Sequence, residues 1–261
     1  MKTGESSVEN KKDQIPEIQI KAVIREKYAR SVQTGGCCCS PTSADSTGCC
    51  SSEPNSKASN KDDIIGNADL GLSCGLPVQD AGIMEGDKVL DLGSGAGVDV
   101  FRAAKVVGKN GFVTGVDMTP EMVKQARINA ERGEFLNTEF KLGEIENLPI
   151  PDNSQDVVIS NCVINLVPNK ERAFQEIYRV LKPGGNFCIS DIVINGEIPD
   201  EIRQNLDAWA ACISGALQKQ SYLKIIEDVG FLNVEVVRCS TFNIEPGING
   251  LESITVLGTK I

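Results

Sequence analysis

The 261 residues, 41% of them apolar, suffice for one large domain with appendages and exclude fibrous, collagen-like and fully disordered chains. With 26 basic against 36 acidic side chains and a net charge of −10, the chain lacks the basic balance of a phosphate-backbone binder, so no nucleic-acid partner is expected. Histidine is absent, which removes Ser-His and Cys-His catalysis and histidine-ligated metals, whereas cysteine occurs ten times. No run approaches the roughly 18 consecutive apolar residues of a spanning helix. The polar first 14 residues show no export signal, so the sequence predicts a cytoplasmic protein with no membrane partner. In a reducing compartment, thiols serve metal binding, catalysis or redox chemistry rather than stable disulfides.

In chain order, residues 1–14 read as disordered, and an amphipathic helix after Pro16 puts Ile20, Val23, Ile24 and Tyr28 near one face. Residues 31–60 read as a loop without a core, carrying Cys37, Cys38, Cys39, Cys49 and Cys50. A strand at Lys88–Leu92 leads into a glycine loop and a helix through about Val107. A strand at Gly111–Val116, a helix at Pro120–Arg132 and strands at Glu139–Leu142 and Asp156–Ser160 follow. A helix near Glu171–Leu181 is expected to stop at Lys182-Pro183-Gly184-Gly185, ahead of a strand at Phe187–Val193. Helices around Asp200–Ser214 and Tyr222–Val229 precede strands near Val234–Val237 and Ile254–Leu257. This alternation predicts an α/β, doubly wound, mostly parallel seven-stranded sheet ending in an antiparallel pair. Three regions follow: a cysteine-rich extension at 1–66, a core at 67–195, and covering helices with the last strands at 196–261.

Val89-Leu90-Asp91-Leu92-Gly93-Ser94-Gly95-Ala96-Gly97 is the sharpest local signal. Glycines after a first strand let a ligand approach the backbone, and the helix start beyond offers unpaired N–H groups. Val98 breaks the dinucleotide pattern G-x-G-x-x-G/A, leaving D-x-G-x-G-x-G. Asp91 inside the strand end would repel a pyrophosphate but suits a cation or an ammonium donor. Asp117, at the end of the second strand, is placed to accept both hydroxyls of a ribose. After the third strand, Gly143-Glu144-Ile145-Glu146-Asn147-Leu148-Pro149 offers a carboxylate to an adenine amine. Together these strand ends fit a positively charged nucleoside without phosphate.

Over roughly residues 84–195 these segments resemble the class I S-adenosylmethionine-dependent methyltransferases, and Leu181-Lys182-Pro183-Gly184-Gly185 is also typical of them. The resemblance implies a Rossmann-like fold and S-adenosylmethionine as cofactor. It implies Asp91, Gly93, Ser94 and Gly95 at the methionine part, Asp117 at the ribose, and Met118, Glu144 and Ile145 around the adenine. Asn161 is also assigned to the cofactor site.

Methyl transfer needs an aligned nucleophile more than an acid or base, so the missing histidines cost nothing. Cys162 lies two residues past the fourth strand, Cys74 just before the core in Leu70-Gly71-Leu72-Ser73-Cys74-Gly75-Leu76-Pro77, and Cys212 on the predicted helix after the fifth strand with Trp209 on the same face. These positions are similar, residue by residue, to the thiols of the arsenite S-adenosylmethionine methyltransferases, a similarity covering roughly residues 65–240. It implies that Cys74, Cys162 and Cys212 bind trivalent arsenic, whose lone pair takes the methyl group. Thiolates are the soft ligands a soft three-coordinate ion prefers. The implied substrates are arsenite and methylarsenite, the implied partner a thiol reductant such as glutathione or thioredoxin, and the implied role arsenic detoxification. Cys188 and Cys239 read as small buried hydrophobes. The adjacent pairs among Cys37, Cys38, Cys39, Cys49 and Cys50 suit a zinc site poorly. They read as capture or relay thiols, the resemblance implying that one of them can pair with Cys74, or as a loop without a role. Two other readings stay open: a quinone or other small-molecule C- or O-methyltransferase, and a thiol-rich metalloid-binding or sensing protein without turnover.

Overall fold

The computed structural model describes residues 15–34, 61–68, 75–196, 199–203, 205–210, 212–242 and 250–261. The expectations for residues 1–14, for Cys37, Cys38, Cys39, Cys49 and Cys50, and for Cys74 lie outside the described residues.

Helix α1 (Glu17–Thr34) begins one residue after Pro16, with Ile20 and Ile24 buried beneath it. Helices α2 (Lys61–Ala68) and α3 (Pro77–Asp80) precede β1 (Lys88–Leu92), α4 (Val98–Val107), β2 (Phe112–Asp117), α5 (Pro120–Arg132), β3 (Thr138–Leu142) and β4 (Gln155–Asn161). Then come α6 (Lys170–Val180), β5 (Leu181–Ile194), α7 (Asp200–Arg203), α8 (Leu206–Ala210), α9 (Lys219–Val229), β6 (Leu232–Phe242) and β7 (Leu251–Thr259). The strands form one seven-stranded sheet in the order β3-β2-β1-β4-β5-β7-β6. The first five run parallel, and β7 is antiparallel to both β5 and β6.

Alternation along β1 decides the layering, since successive side chains point to opposite faces. Val89 packs with Val100, Phe101 and Val123 of α4 and α5, while Leu90 and Leu92 pack with Phe174 and Ile177 of α6 and Ile226 of α9. The strand order reverses between β1 and β4, which opens a crevice at their carboxyl ends, the usual ligand position in such sheets. Helix α1 packs against α5 and α8 across that end.

Three expectations need correction. Helix α6 ends at Val180, before the proline, because Leu181 is already extended and paired with Gln155. Pairing resumes only at Val157 with Asn186, so Lys182–Gly185 forms an irregularity in β5, with Gly184 at a φ of 81°. The single helix expected over Asp200–Ser214 is two short ones, and Cys212 lies beyond the second, in a turn. Its N–H reaches Trp209 O at 2.9 Å and the Ile213 N–H reaches Ala208 O at 2.9 Å. Those two bonds are the Schellman closure, with Cys212, at a φ of 63°, in the left-handed position glycine usually takes. Trp209 therefore precedes Cys212 across a turn and does not share a helical face with it. Cys239 is exposed, because β6 is the edge of the sheet, whereas Cys188 in β5 is buried as expected.

Candidate active site

The crevice is lined by the ends of β1, β2, β3 and β4. Asp91, Gly93, Ser94, Gly95, Asp117, Met118, Glu144, Ile145, Asn161 and Cys162 all face it. The structure thus gathers every sequence-expected cofactor residue into one pocket. Gly93 has a φ of 66°, and a Cβ there would meet a Val163 methyl carbon at 2.5 Å. Only glycine allows the loop after β1 to lie so close to the residue following Cys162.

Three carboxylates crowd the β1 and β2 side. Burial pushes the Asp91 carboxyl well above its ordinary value, and the neighbouring Asp99 and Asp117 push it further. Among the described residues nothing donates a hydrogen bond to it. Asp117 is also raised by burial, partly offset by the Thr119 and Gly95 N–H groups, which donate at 2.8 and 3.0 Å. Asp99 is paired with Arg102 at 2.9 Å. The Ser94 hydroxyl, also lining the pocket, is buried without a hydrogen-bond partner among the described residues. An uncompensated buried carboxylate beside an orphan hydroxyl is a site prepared for a cationic hydrogen-bond donor.

On the β3 side Glu144 is already engaged. Lys21 of α1 donates to it at 2.9 Å and Arg25 at 2.5 Å, while Lys21 also pairs with Glu146 at 2.9 Å. The Lys21 bond holds the Glu144 carboxyl below its ordinary value despite partial burial. Lys21, Ile24 and Tyr28 all line the pocket, so α1 roofs it. Sequence reasoning found this helix but did not give it to the site; its one signal was Lys21 and Arg25 at i,i+4 beside the apolar stripe.

The β4 and β5 side carries the thiol positions. Cys162 follows β4 at a φ of 59°, and its N–H donates to Ser190 O of β5 at 2.7 Å. Its sulfur is held in a disulfide. Cys212 is a free, buried thiol whose Sγ donates to the Cys162 carbonyl at 3.1 Å, and burial pushes that thiol above its ordinary value. The two turns share an apolar cluster with Ile20, Ile24, Leu166 and Ile213. Both cysteines occupy left-handed backbone, which costs a side-chain-bearing residue of order 1–3 kcal/mol and gathers at functional sites.

Asn161 ties these two sides together. Its Oδ1 accepts from the Gly75 N–H at 3.2 Å, and its Nδ2 donates to Gly75 O at 3.1 Å and to Asp99 Oδ2 at 3.0 Å. A Cβ on Gly75 would meet Ser190 Oγ at 2.4 Å, so this approach also requires glycine. The residue after Cys74 is therefore pinned to the residue before Cys162, with Asp99 of the acidic pocket on the same amide.

A doubly wound sheet with this acidic, glycine-looped crevice defines the methyltransferase fold, and residues 83–230 match the family model described as a methyltransferase domain. The chain is 43% identical over 235 residues to an arsenite methyltransferase of Halobacterium salinarum, covering 86% of this chain and 60% of that one. It is 39% identical over 181 residues to the mouse arsenite methyltransferase, covering 66% of this chain and 48% of that one. The crystal structure of an arsenic(III) S-adenosylmethionine methyltransferase from Chlamydomonas reinhardtii superposes with a TM-score of 0.68 at 35% identity, covering 77% of this chain and 73% of that one. The chain belongs to the arsenic(III) S-adenosylmethionine methyltransferase family. It spans 60% and 48% of the two curated relatives' lengths.

Proposed function

We propose that this chain transfers a methyl group from S-adenosylmethionine to trivalent arsenic held by Cys74, Cys162 and Cys212. The observation that carries the reading is the Cys212 sulfur, 3.1 Å from the Cys162 carbonyl, in a turn that adjoins the acidic crevice. S-adenosylmethionine supplies, when bound, an electrophilic methyl on a sulfonium. The uncompensated Asp91 and the orphan Ser94 hydroxyl suit its amino-acid ammonium, Asp117 its ribose, and Ile145 and Met118 its adenine. Glu144 serves less as a free acceptor than as the anchor for α1, which keeps water from the crevice.

On the acceptor side, burial keeps Cys212 protonated near neutral pH. That suits condensation with arsenite, in which each As–OH takes up a thiol proton and leaves as water while an As–S bond forms. No dedicated base is needed. Three sulfurs on one side of arsenic direct its lone pair away from them. Because Cys162 stands in a disulfide, a thiol reductant such as glutathione or thioredoxin must open it before arsenic enters. The implied products are methylated arsenicals, the implied role detoxification in the cytoplasm. Cys37, Cys38, Cys39, Cys49 and Cys50 are proposed as capture thiols that pass arsenite inward.

The test is separation and elemental detection of arsenic species after incubation with arsenite, S-adenosylmethionine and glutathione. Methylated arsenic that disappears in Cys162→Ser supports both reaction and site. A folded, cofactor-binding chain that methylates no arsenic would turn the reading to a carbon acceptor or to binding without turnover.

A further inference from the structure

One buried cation touches both thiol-bearing turns and takes no part in the chemistry above. Lys170 opens α6 with only 6% of its surface exposed, and a lysine is rarely so buried without partners. Its Nζ donates to Asn165 O at 3.3 Å and Val167 O at 3.0 Å, both in the turn that follows Cys162. The same Nζ lies 5.6 Å from the ring centroid of Trp209, in the helix whose closing turn carries Cys212. Asn165 extends the tie: its Nδ2 donates to Ile192 O at 2.6 Å and reaches Cys212 O at 3.4 Å. The fully buried Asp191 of β5, its carboxyl pushed up to about 7 by burial, is approached by the Tyr222 hydroxyl at 3.4 Å. Glu146 and Asp191 face the ammonium electrostatically, and Lys27 of α1 adds a second positive charge toward Cys212.

We infer that Lys170 is a positioning residue for the acceptor site, fixing the Cys162 turn against the Cys212 turn so that both sulfurs meet one arsenic atom. The inference rests on the arsenic reading of that site. An apolar side chain could fill the same space but could neither hold two carbonyls of one turn nor attract the indole face of the other.

The full chain, reduced, is compared with Lys170→Met, Lys170→Arg and Trp209→Leu. Arsenite bound per chain is measured by equilibrium dialysis with elemental detection, alongside S-adenosylmethionine affinity and the arsenite KM and kcat. Lys170→Met is expected to weaken arsenite binding about tenfold or more, the range for groups that orient metal ligands, while cofactor affinity stays within about twofold. Lys170→Arg should restore part of the loss, because it keeps the cation and its donors. Trp209→Leu should weaken arsenite in the same direction and decides the matter if Lys170→Met does not fold. Wild-type arsenite affinity in a folded Lys170→Met, or in Trp209→Leu where that variant decides, would overturn the inference. Failure of the wild-type chain itself to bind arsenite would instead remove the arsenic reading.

Discussion

At the β1 and β2 ends of the crevice, Asp91, Asp99 and Asp117 crowd around a loop of glycines, while at the β4 and β5 ends Cys162 and Cys212 sit among Ile24, Leu166 and Ile213. On the first side Asp91 is a buried carboxyl that no described residue pairs; the second carries sulfur in strained turns, disulfide-bonded at Cys162 and a free thiol at Cys212. One side is prepared for a cationic, polar ligand and the other for a soft one, and Asn161 hydrogen-bonds across the boundary. The contrast teaches how the chain keeps two chemistries apart at close range. Carboxylates are hard ligands with little affinity for a thiophilic ion, and buried uncharged sulfur offers nothing to an ammonium.

The contrast breaks most completely by removing a sulfur. Cys212→Ser should lower arsenite methylation at least about 100-fold, since one of three soft ligands is lost, while calorimetry finds S-adenosylmethionine affinity nearly unchanged. Asp91→Asn should do the reverse. It should cost cofactor affinity about 30-fold, on the order of 2 kcal/mol for a buried charge partner, and leave arsenite binding intact. The same substitution should raise the Tm of the empty protein. Burial lifts the Asp91 pKa, so ionisation near neutral pH opposes folding, and a neutral amide removes that cost.

The pH profile sharpens the same point. A cationic ligand needs Asp91 ionised, so cofactor affinity should fall as pH drops through its raised value, well above the ordinary carboxylate range. In Asp91→Asn, titration calorimetry should lose that step. The smallest effect belongs to the roof. Lys21→Ala frees part of Glu144 and Glu146 but breaks only partly exposed pairs, each worth under about 1 kcal/mol. A two- to fivefold rise in cofactor KM is expected, shrinking at high salt.

Most of the cofactor side was legible because its residues sit within a few positions of strand ends. Asp91 stands near the end of the five-residue strand β1, Gly93 follows it, and Asp117 closes the next, so the hydrophobic runs and glycines located them. The acceptor side was legible only in residue type. That Cys212 occupies a left-handed turn follows from the closure onto Ala208 and Trp209, which a helical reading of Asp200–Ser214 smooths over. The partnership of Lys21 and Arg25 with Glu144 spans more than a hundred residues and leaves no local pattern. Lys170 was equally silent: a lysine opening a helix reads as solvated until the turns on either side fold over it.

The claim that thiols from separate turns hold one arsenic atom is tested most directly by X-ray absorption at the arsenic edge on the reduced, arsenite-loaded chain. Three sulfur neighbours in the wild type, and two sulfurs with one oxygen in Cys212→Ser, are predicted. An oxygen-dominated shell in the wild type, or an unchanged three-sulfur shell in Cys212→Ser, would contradict it.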